Sequence, residues 1–129
     1  MLVFKDIASP ITEGEWFDRE IWGQNIRLKL RPLNDDIATS IRKPFEGLKE
    51  GRKKEEKILD AVYDYVLEDF EGVGDELPDG TVTHWEPTLP NKKRILMMRV
   101  PVGEQGNLAW VIDRANQLAF KVHEDAIKN

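Results

Sequence analysis

The most constraining feature of the chain is residues 25–33, in which apolar and basic side chains alternate strictly. The two sets fall on opposite sides of an extended backbone: Ile26, Leu28 and Leu30 against Arg27, Lys29 and Arg31. Alternation with a period of two is typical of an antiparallel strand that is buried on one face. Pro32 has no N–H group, so we expect it to end the strand or to lie on an edge. A preceding strand over residues 14–22 would form a hairpin with it, with the turn near residues 23–25.

Four later stretches have the apolar spacing or the start and stop signals of helices. They cover about residues 35–42, 53–70, 92–99 and 104–126. Asn34 and Asn91 are predicted to cap the first and third of these helices, because an Asn side chain can accept a hydrogen bond from a free N–H at a helix start. We therefore predict an α+β fold that is predominantly helical, with an N-terminal β-hairpin over about residues 14–33 followed by about four helices.

The length indicates one domain over residues 1–129, since a chain of 129 residues is of ordinary single-domain size. Residues 44–53 contain one proline and two glycines and are predicted to form a mobile loop. Residues 71–90 are a turn-rich excursion, which is long for a compact domain unless it has a function.

The composition excludes several classes of protein. The chain has 19 basic and 24 acidic residues, a formal net charge of −5, which argues against a nucleic-acid partner. It has no cysteine, so disulfides and thiolate chemistry are excluded. The N-terminal residues do not form a signal peptide, and no apolar run approaches the roughly 20 residues of a membrane span. We expect a cytoplasmic protein without a membrane partner.

The motifs that could carry chemistry are weak. His84 and His123 are the only histidines and lack the spacing of a metal site. Residues 75–80 form an acidic segment that fits a β-turn better than a calcium loop. Gly72 and Gly74 lack the third glycine of a dinucleotide-binding loop. We therefore predict no catalytic, metal-binding or cofactor-binding residue, no cofactor, and a protein that is not an enzyme.

Charge is distributed along the chain in blocks of alternating sign. Residues 42–57 contain seven basic and four acidic side chains, and residues 58–80 contain eight acidic and no basic ones. Residues 92–99 contain four basic and no acidic side chains. The blocks either pair with one another inside the fold or form a polarised surface that steers a partner. We favour the first interpretation.

Four tryptophans are many for a chain of this length, and aromatic residues concentrate in cores and in interface anchors. We predict that Trp16 and Trp22 lie in the core. Trp85 lies in the turn-rich excursion and Trp110 lies beside the apolar stripe of the last helix, and both remain candidates for an interface.

The order of these pieces resembles the small tail-assembly proteins of long-tailed bacteriophages and prophages, which are often described as tail assembly chaperones. The resemblance covers roughly residues 14–122. It rests on loose motifs: Trp16-Phe17, Leu30-Arg31-Pro32-Leu33, the segment from Tyr65 to Val73, the acidic turn from Gly74 to Gly80, the segment from Glu86 to Lys93, and the final amphipathic helix.

The resemblance implies a non-catalytic chaperone in the host bacterial cytoplasm. Such a protein would bind the tape-measure protein and help to recruit the tail-tube protein, with self-association left open. The candidate partner-binding residues are Trp85, Leu108, Trp110 and Val111. On this hypothesis, replacing Trp110 with alanine weakens partner binding and leaves the fold intact. The alternative is a tail-completion or connector protein that oligomerises and stays in the particle.

Overall fold

The computed structural model describes residues 14–128, with side chains up to residue 121. The helices and strands follow one another in this order: β1 (Glu15–Ile21), β2 (Gln24–Leu30), α1 (Asp35–Arg42), a short 3-10 helix (Lys43–Phe45), α2 (Arg52–Val66), β3 (Leu67–Glu71), β4 (Gly74–Glu76), β5 (Val82–His84), α3 (Leu89–Leu96) and α4 (Asn107–Lys128).

The prediction of a predominantly helical chain with a single hairpin followed only by helices is wrong. The described residues form five strands in two antiparallel sheets. The main sheet has the order β1-β2-β3, and β4 pairs with β5 as a separate two-stranded sheet. The fold is therefore a mixed one, and three strands, β3, β4 and β5, lie between the helices α2 and α3.

The N-terminal hairpin has the alternating pattern seen in the sequence. Phe17 of β1 pairs with Leu28 of β2, and Ile26, Leu28 and Leu30 of β2 are all buried. The turn lies at Trp22-Gly23, slightly earlier than the predicted position. Both turn residues have positive φ, 54° and 74°, as a two-residue type I′ turn requires.

The third strand occupies residues that the sequence assigns to the end of a helix. Leu67 and Phe70 are both buried although they are three residues apart, a spacing that also fits a helix. The register between β2 and β3 shifts between Lys29 and Leu30, so that Leu28 faces Phe70 and Leu30 faces Leu67. This bulge places both side chains on the same face of the sheet. Helix α2 accordingly ends at Val66, not at residue 70.

The core lies between one face of the main sheet and the helices that cover it. Its completely buried side chains come from β2, the α2–β3 junction, α3 and α4: Leu28, Leu30, Val66, Leu67, Ile95 and Val111. The segment after β2 is fixed to α4, because Leu33 N–H donates to the Ala115 carbonyl at 3.0 Å.

The helix starts follow capping chemistry, with one correction. Helix α1 over residues 35–42 is confirmed, and the Asn34 side chain accepts a hydrogen bond from Ile37 N–H at 2.8 Å. The predicted cap at Asn91 is wrong. Helix α3 begins at Leu89, and its cap is Thr88, whose hydroxyl accepts from Asn91 N–H at 3.4 Å.

The two predicted irregular segments also have local order. Residues 44–53 contain part of the 3-10 helix, turns and the start of α2. Residues 71–90 contain the hairpin of β4 and β5. Within the described part of the chain, no helix is both long and apolar enough to cross a membrane.

One carboxylate holds the solvent side of the main sheet together. Glu68 of β3 forms salt bridges with Lys29 of β2, at 2.7 Å, and with Arg31, at 3.0 Å, while only 20% of its side chain is exposed. Burial alone would raise the pKa of Glu68, but the hydrogen bonds and charges of Lys29 and Arg31 outweigh burial and hold the pKa below its usual value.

We expect the Glu68→Gln variant to be less stable than the wild type by about 1–2 kcal/mol at pH 7. Because the pKa is depressed in the folded state, this contribution is present above the unfolded pKa of roughly 4.3 and is lost as pH falls through the folded value. Urea unfolding at pH 7 and pH 3 measures the difference, which we expect to shrink at pH 3. The exposed Glu20, which has no ion pair among the described residues, supplies the control Glu20→Gln, for which we expect no loss of stability at pH 7.

Candidate functional site

The tip of the N-terminal hairpin presents an exposed tryptophan in an unusual backbone conformation. The Trp22 side chain is 59% exposed, so the predicted core position of Trp22 is wrong. Its φ of 54° is the only positive value at a non-glycine residue in the described part of the chain. Left-handed backbone costs a side-chain-bearing residue about 1–2 kcal/mol, and asparagine or glycine usually occupies this turn position.

A hydrogen bond joins this tryptophan to the segment that follows α3. Trp22 Nε1 donates to the Arg99 carbonyl at 3.0 Å, although the two residues are far apart in sequence. Residues 97–102 carry three exposed apolar side chains: Met97 (55% exposed), Met98 (39%) and Val102 (fully exposed). We refer to Trp22, Met97, Met98 and Val102 as the Trp22 surface.

The position of the Trp22 surface follows from local folding. Ile95 and Leu96 are buried at the end of α3, so the next two residues, Met97 and Met98, are left on the outside as the helix stops. Methionine is flexible and polarisable, and it adapts to apolar groups of different shapes. Chemically, the arrangement suits contact with apolar side chains of another protein, anchored by one aromatic ring.

Trp110, a predicted interface residue, is placed in the core by the structure. It is 8% exposed and packs edge-to-face on Phe17, with ring centroids 6.3 Å apart. The guanidinium groups of Arg19 and Arg114 lie over its ring, at 5.0 and 4.1 Å from the centroid. Burial lowers the pKa of Arg19, and the nearby Glu104 carboxylate offsets part of this lowering.

The other three candidate residues are separated from one another. Val111 is completely buried, and Leu108 is half-buried at the start of α4. Trp85 is half-buried at a different place: its Nε1 donates to Asp75 at 2.9 Å, and the Arg94 guanidinium lies 3.9 Å from its ring centroid. Trp85 thereby fastens the β4–β5 hairpin to α3. The structure does not bring the four candidates together on one exposed surface.

Trp16, which the sequence predicts to lie in the core, lies on the solvent-facing side of the main sheet and not on the side that packs against the core. It is half-buried, and the Arg27 guanidinium covers its ring at 4.8 Å. Arg27 also forms salt bridges with Asp18 and Glu71. This side of the sheet is thus shielded by charged side chains.

The charge blocks pair in part inside the fold. Lys92 and Lys93 of α3 form salt bridges with Asp64 and Asp60 of α2, at 3.0 and 2.9 Å. Lys92 is buried, and its Nζ also donates to the Asp64 carbonyl oxygen at 3.0 Å. Asp60 and Asp64 of α2 are therefore paired with α3, as the first of the two interpretations expects.

The motifs examined for chemistry have structural explanations. Gly72 has a φ of 86° and packs beside β2, where a Cβ would lie 3.1 Å from the Asn25 carbonyl oxygen. A Cβ at Gly74 would lie 2.2 Å from the Thr83 carbonyl oxygen, so Gly74 serves the β4–β5 hairpin. Residues 77–80 form its turn, with Gly80 N–H donating to the Leu77 carbonyl at 2.9 Å. His84 is exposed, and the His123 side chain lies outside the described residues. Within the described residues, no group of three or more His, Cys, Asp or Glu side chains is placed to hold a metal ion.

Comparison with known proteins finds no matching family, no matching curated protein and no matching solved structure. The geometry of the Trp22 surface is therefore the starting point for function. The sequence signal for it is the pair Trp22-Gly23 directly before an alternating strand, because a glycine there permits a two-residue turn that carries the tryptophan at its tip.

Proposed function

We propose that the chain is a non-catalytic binding protein of bacteriophage tail assembly, which binds the tape-measure protein through the Trp22 surface. The proposal joins the resemblance to tail assembly chaperones with one observation. That observation is the exposed Trp22 side chain, held in a left-handed turn at the tip of the hairpin.

Tryptophan is an energetically unfavourable residue at position 22. The backbone there favours asparagine or glycine, and water disfavours an exposed indole ring. A residue that is unfavourable on both counts suits a role in which its ring is covered by a partner. The hydrogen bond from Trp22 to the Arg99 carbonyl ties the tip of the hairpin to the segment that carries Met97, Met98 and Val102.

The chemistry of the surface also fits the proposed partner. A tape-measure protein is long and aggregation-prone before the tail is complete, so its chaperone needs apolar contacts that are reversible. One tryptophan and two methionines supply adaptable apolar area without a deep pocket.

The direct test is co-expression of this chain with the tape-measure protein from the same genome. We expect the chain to raise the soluble fraction of the tape-measure protein and to co-purify with it. Failure of both would overturn the proposal.

Mass spectrometry of purified tails tests the alternative function. A chaperone leaves before the tail is complete, so we expect the chain to be absent from tails. Stoichiometric presence in tails would instead support the structural or connector role.

A further inference from the structure

The hairpin of β4 and β5 projects from the rest of the fold. All six of its strand residues are exposed, including the apolar Val82, and Leu77 in its turn is exposed as well. An isolated two-stranded hairpin is only marginally stable in water, so it depends on its attachment. The attachment is made by Trp85, because the Arg94 guanidinium of α3 lies over its ring.

This hairpin and the two residues after it carry one sign of charge. Residues 74–86, which we call the acidic arm, contain Asp75, Glu76, Asp79 and Glu86 and no lysine or arginine. Among the described residues, none of these four carboxylates forms a salt bridge. The two lysines of α3 pair with α2, and the Arg94 guanidinium of α3 lies over the ring of Trp85 without a salt bridge to the four carboxylates of the arm.

A second surface has the opposite imbalance. Four exposed lysines near the start of α2 form no salt bridge within the described part of the chain, and we call them the basic corner: Lys43, Lys49, Lys53 and Lys57. The neighbouring Arg42, Arg52 and Lys54 are already paired with Glu55, Glu56 and Glu50. The exposed Leu48 lies in the same segment.

The arm and the corner form no ion pair with each other among the described residues. The acidic arm is fixed to α3, which is bound to Asp60 and Asp64 in the C-terminal half of α2. Lys53 and Lys57 lie nearer the start of α2, seven and three residues before Asp60. Complementary charge on separate parts of one molecule favours contact between two copies of it.

We propose that copies of this chain associate head to tail, with the acidic arm of one copy on the basic corner of the next. Exposed apolar side chains on both surfaces, Val82 and Leu77 on the arm and Leu48 on the corner, add contact area. The contact joins unlike surfaces, so each copy keeps a free arm and a free corner, and assembly continues until a ring closes or a filament forms. This proposal does not depend on the proposed function.

Neutralising the net charge of each surface in turn tests the proposal, with the oligomeric state measured by sedimentation equilibrium. The arm variant is Glu76→Lys with Glu86→Lys, which leaves Asp79 in its hydrogen bonds to Thr81. The corner variant is Lys53→Glu with Lys57→Glu. We expect the wild type to associate at about 0.5 mM protein in about 20 mM salt, with an association constant that falls at least about tenfold in about 500 mM salt. We expect each variant alone to remain monomeric.

Mixing the two variants gives the decisive result. The arm variant keeps the basic corner and the corner variant keeps the acidic arm, so we expect the mixture to associate although neither component does so alone. The variant Glu15→Lys with Glu20→Lys changes net charge as much as the arm variant but lies on β1, and we expect it to associate like the wild type. A monomeric wild type, a mixture that does not associate, or equal loss in the β1 control would each overturn the proposal.

Discussion

Replacing Trp110 with alanine is expected to lower the free energy of unfolding by about 3–5 kcal/mol. The ring is 8% exposed and packs on Phe17, and the guanidinium groups of Arg19 and Arg114 lie over it. Truncation would leave a cavity beside the sheet. It would also remove the aromatic ring over which the guanidinium of the buried Arg19 lies. The expectation from sequence, that this variant weakens partner binding and keeps its fold, therefore gives way to a loss of stability.

Urea unfolding followed by far-ultraviolet circular dichroism measures this effect. Phe120 supplies a matched control, because it is an aromatic residue on the same helix but is 69% exposed. We expect Phe120→Ala to change the free energy of unfolding by no more than about 0.5 kcal/mol. A loss of less than about 1 kcal/mol in Trp110→Ala would contradict the core assignment and would return Trp110 to the list of candidate interface residues.

Local signals in the sequence predict those parts of the fold that local physics determines. The alternation around Leu28 predicts the central strand, because one-sided burial requires a period of two. The Asn34 side chain predicts the start of α1, because a cap acts within three residues of itself. Neither inference needs knowledge of residues elsewhere in the chain.

The parts that could not be predicted depend on contacts between distant residues. Leu67 and Phe70 have helical spacing, and only the bulge opposite Lys29 and Leu30 places both on one face of a strand. β3 pairs with residues of β2 that lie about 40 positions earlier in the chain, and the pattern of residues 53–71 alone does not predict that pairing. A strong helical stripe that leads directly into the strand extends the predicted helix too far.

The same limit explains the tryptophans. Composition shows that four are present, but exposure is decided by which elements cover each ring. Trp110 lies on the inner stripe of α4 and is covered by the sheet, whereas Trp22 lies at a turn that no other element covers completely. The candidate surface thus becomes visible only when the hairpin turn is placed at residues 22–23.

The Trp22→Asn variant is expected to separate binding from stability. Asparagine followed by glycine is the preferred pair for a type I′ turn, so relief of the left-handed strain offsets the lost hydrogen bond to Arg99. We expect the free energy of unfolding to stay within about 1 kcal/mol of the wild type. If the ring anchors the tape-measure protein, the amount of that protein which co-purifies should fall at least about tenfold, the result of losing an aromatic anchor worth about 1.4 kcal/mol or more.

Two further variants determine what such a loss means. Trp22→Phe keeps an aromatic ring but has no side-chain N–H group. If this variant retains most tape-measure binding, the ring acts through apolar contact. If it loses binding, the hydrogen bond that positions residues 97–102 is required. Phe120→Ala removes a comparably exposed aromatic side chain from α4, and we expect it to leave tape-measure binding unchanged. Trp22→Asn is chosen to keep the fold. If the wild type binds the tape-measure protein and Trp22→Asn binds it equally well, the Trp22 surface is excluded as the binding site. That result would not contradict the chaperone function itself.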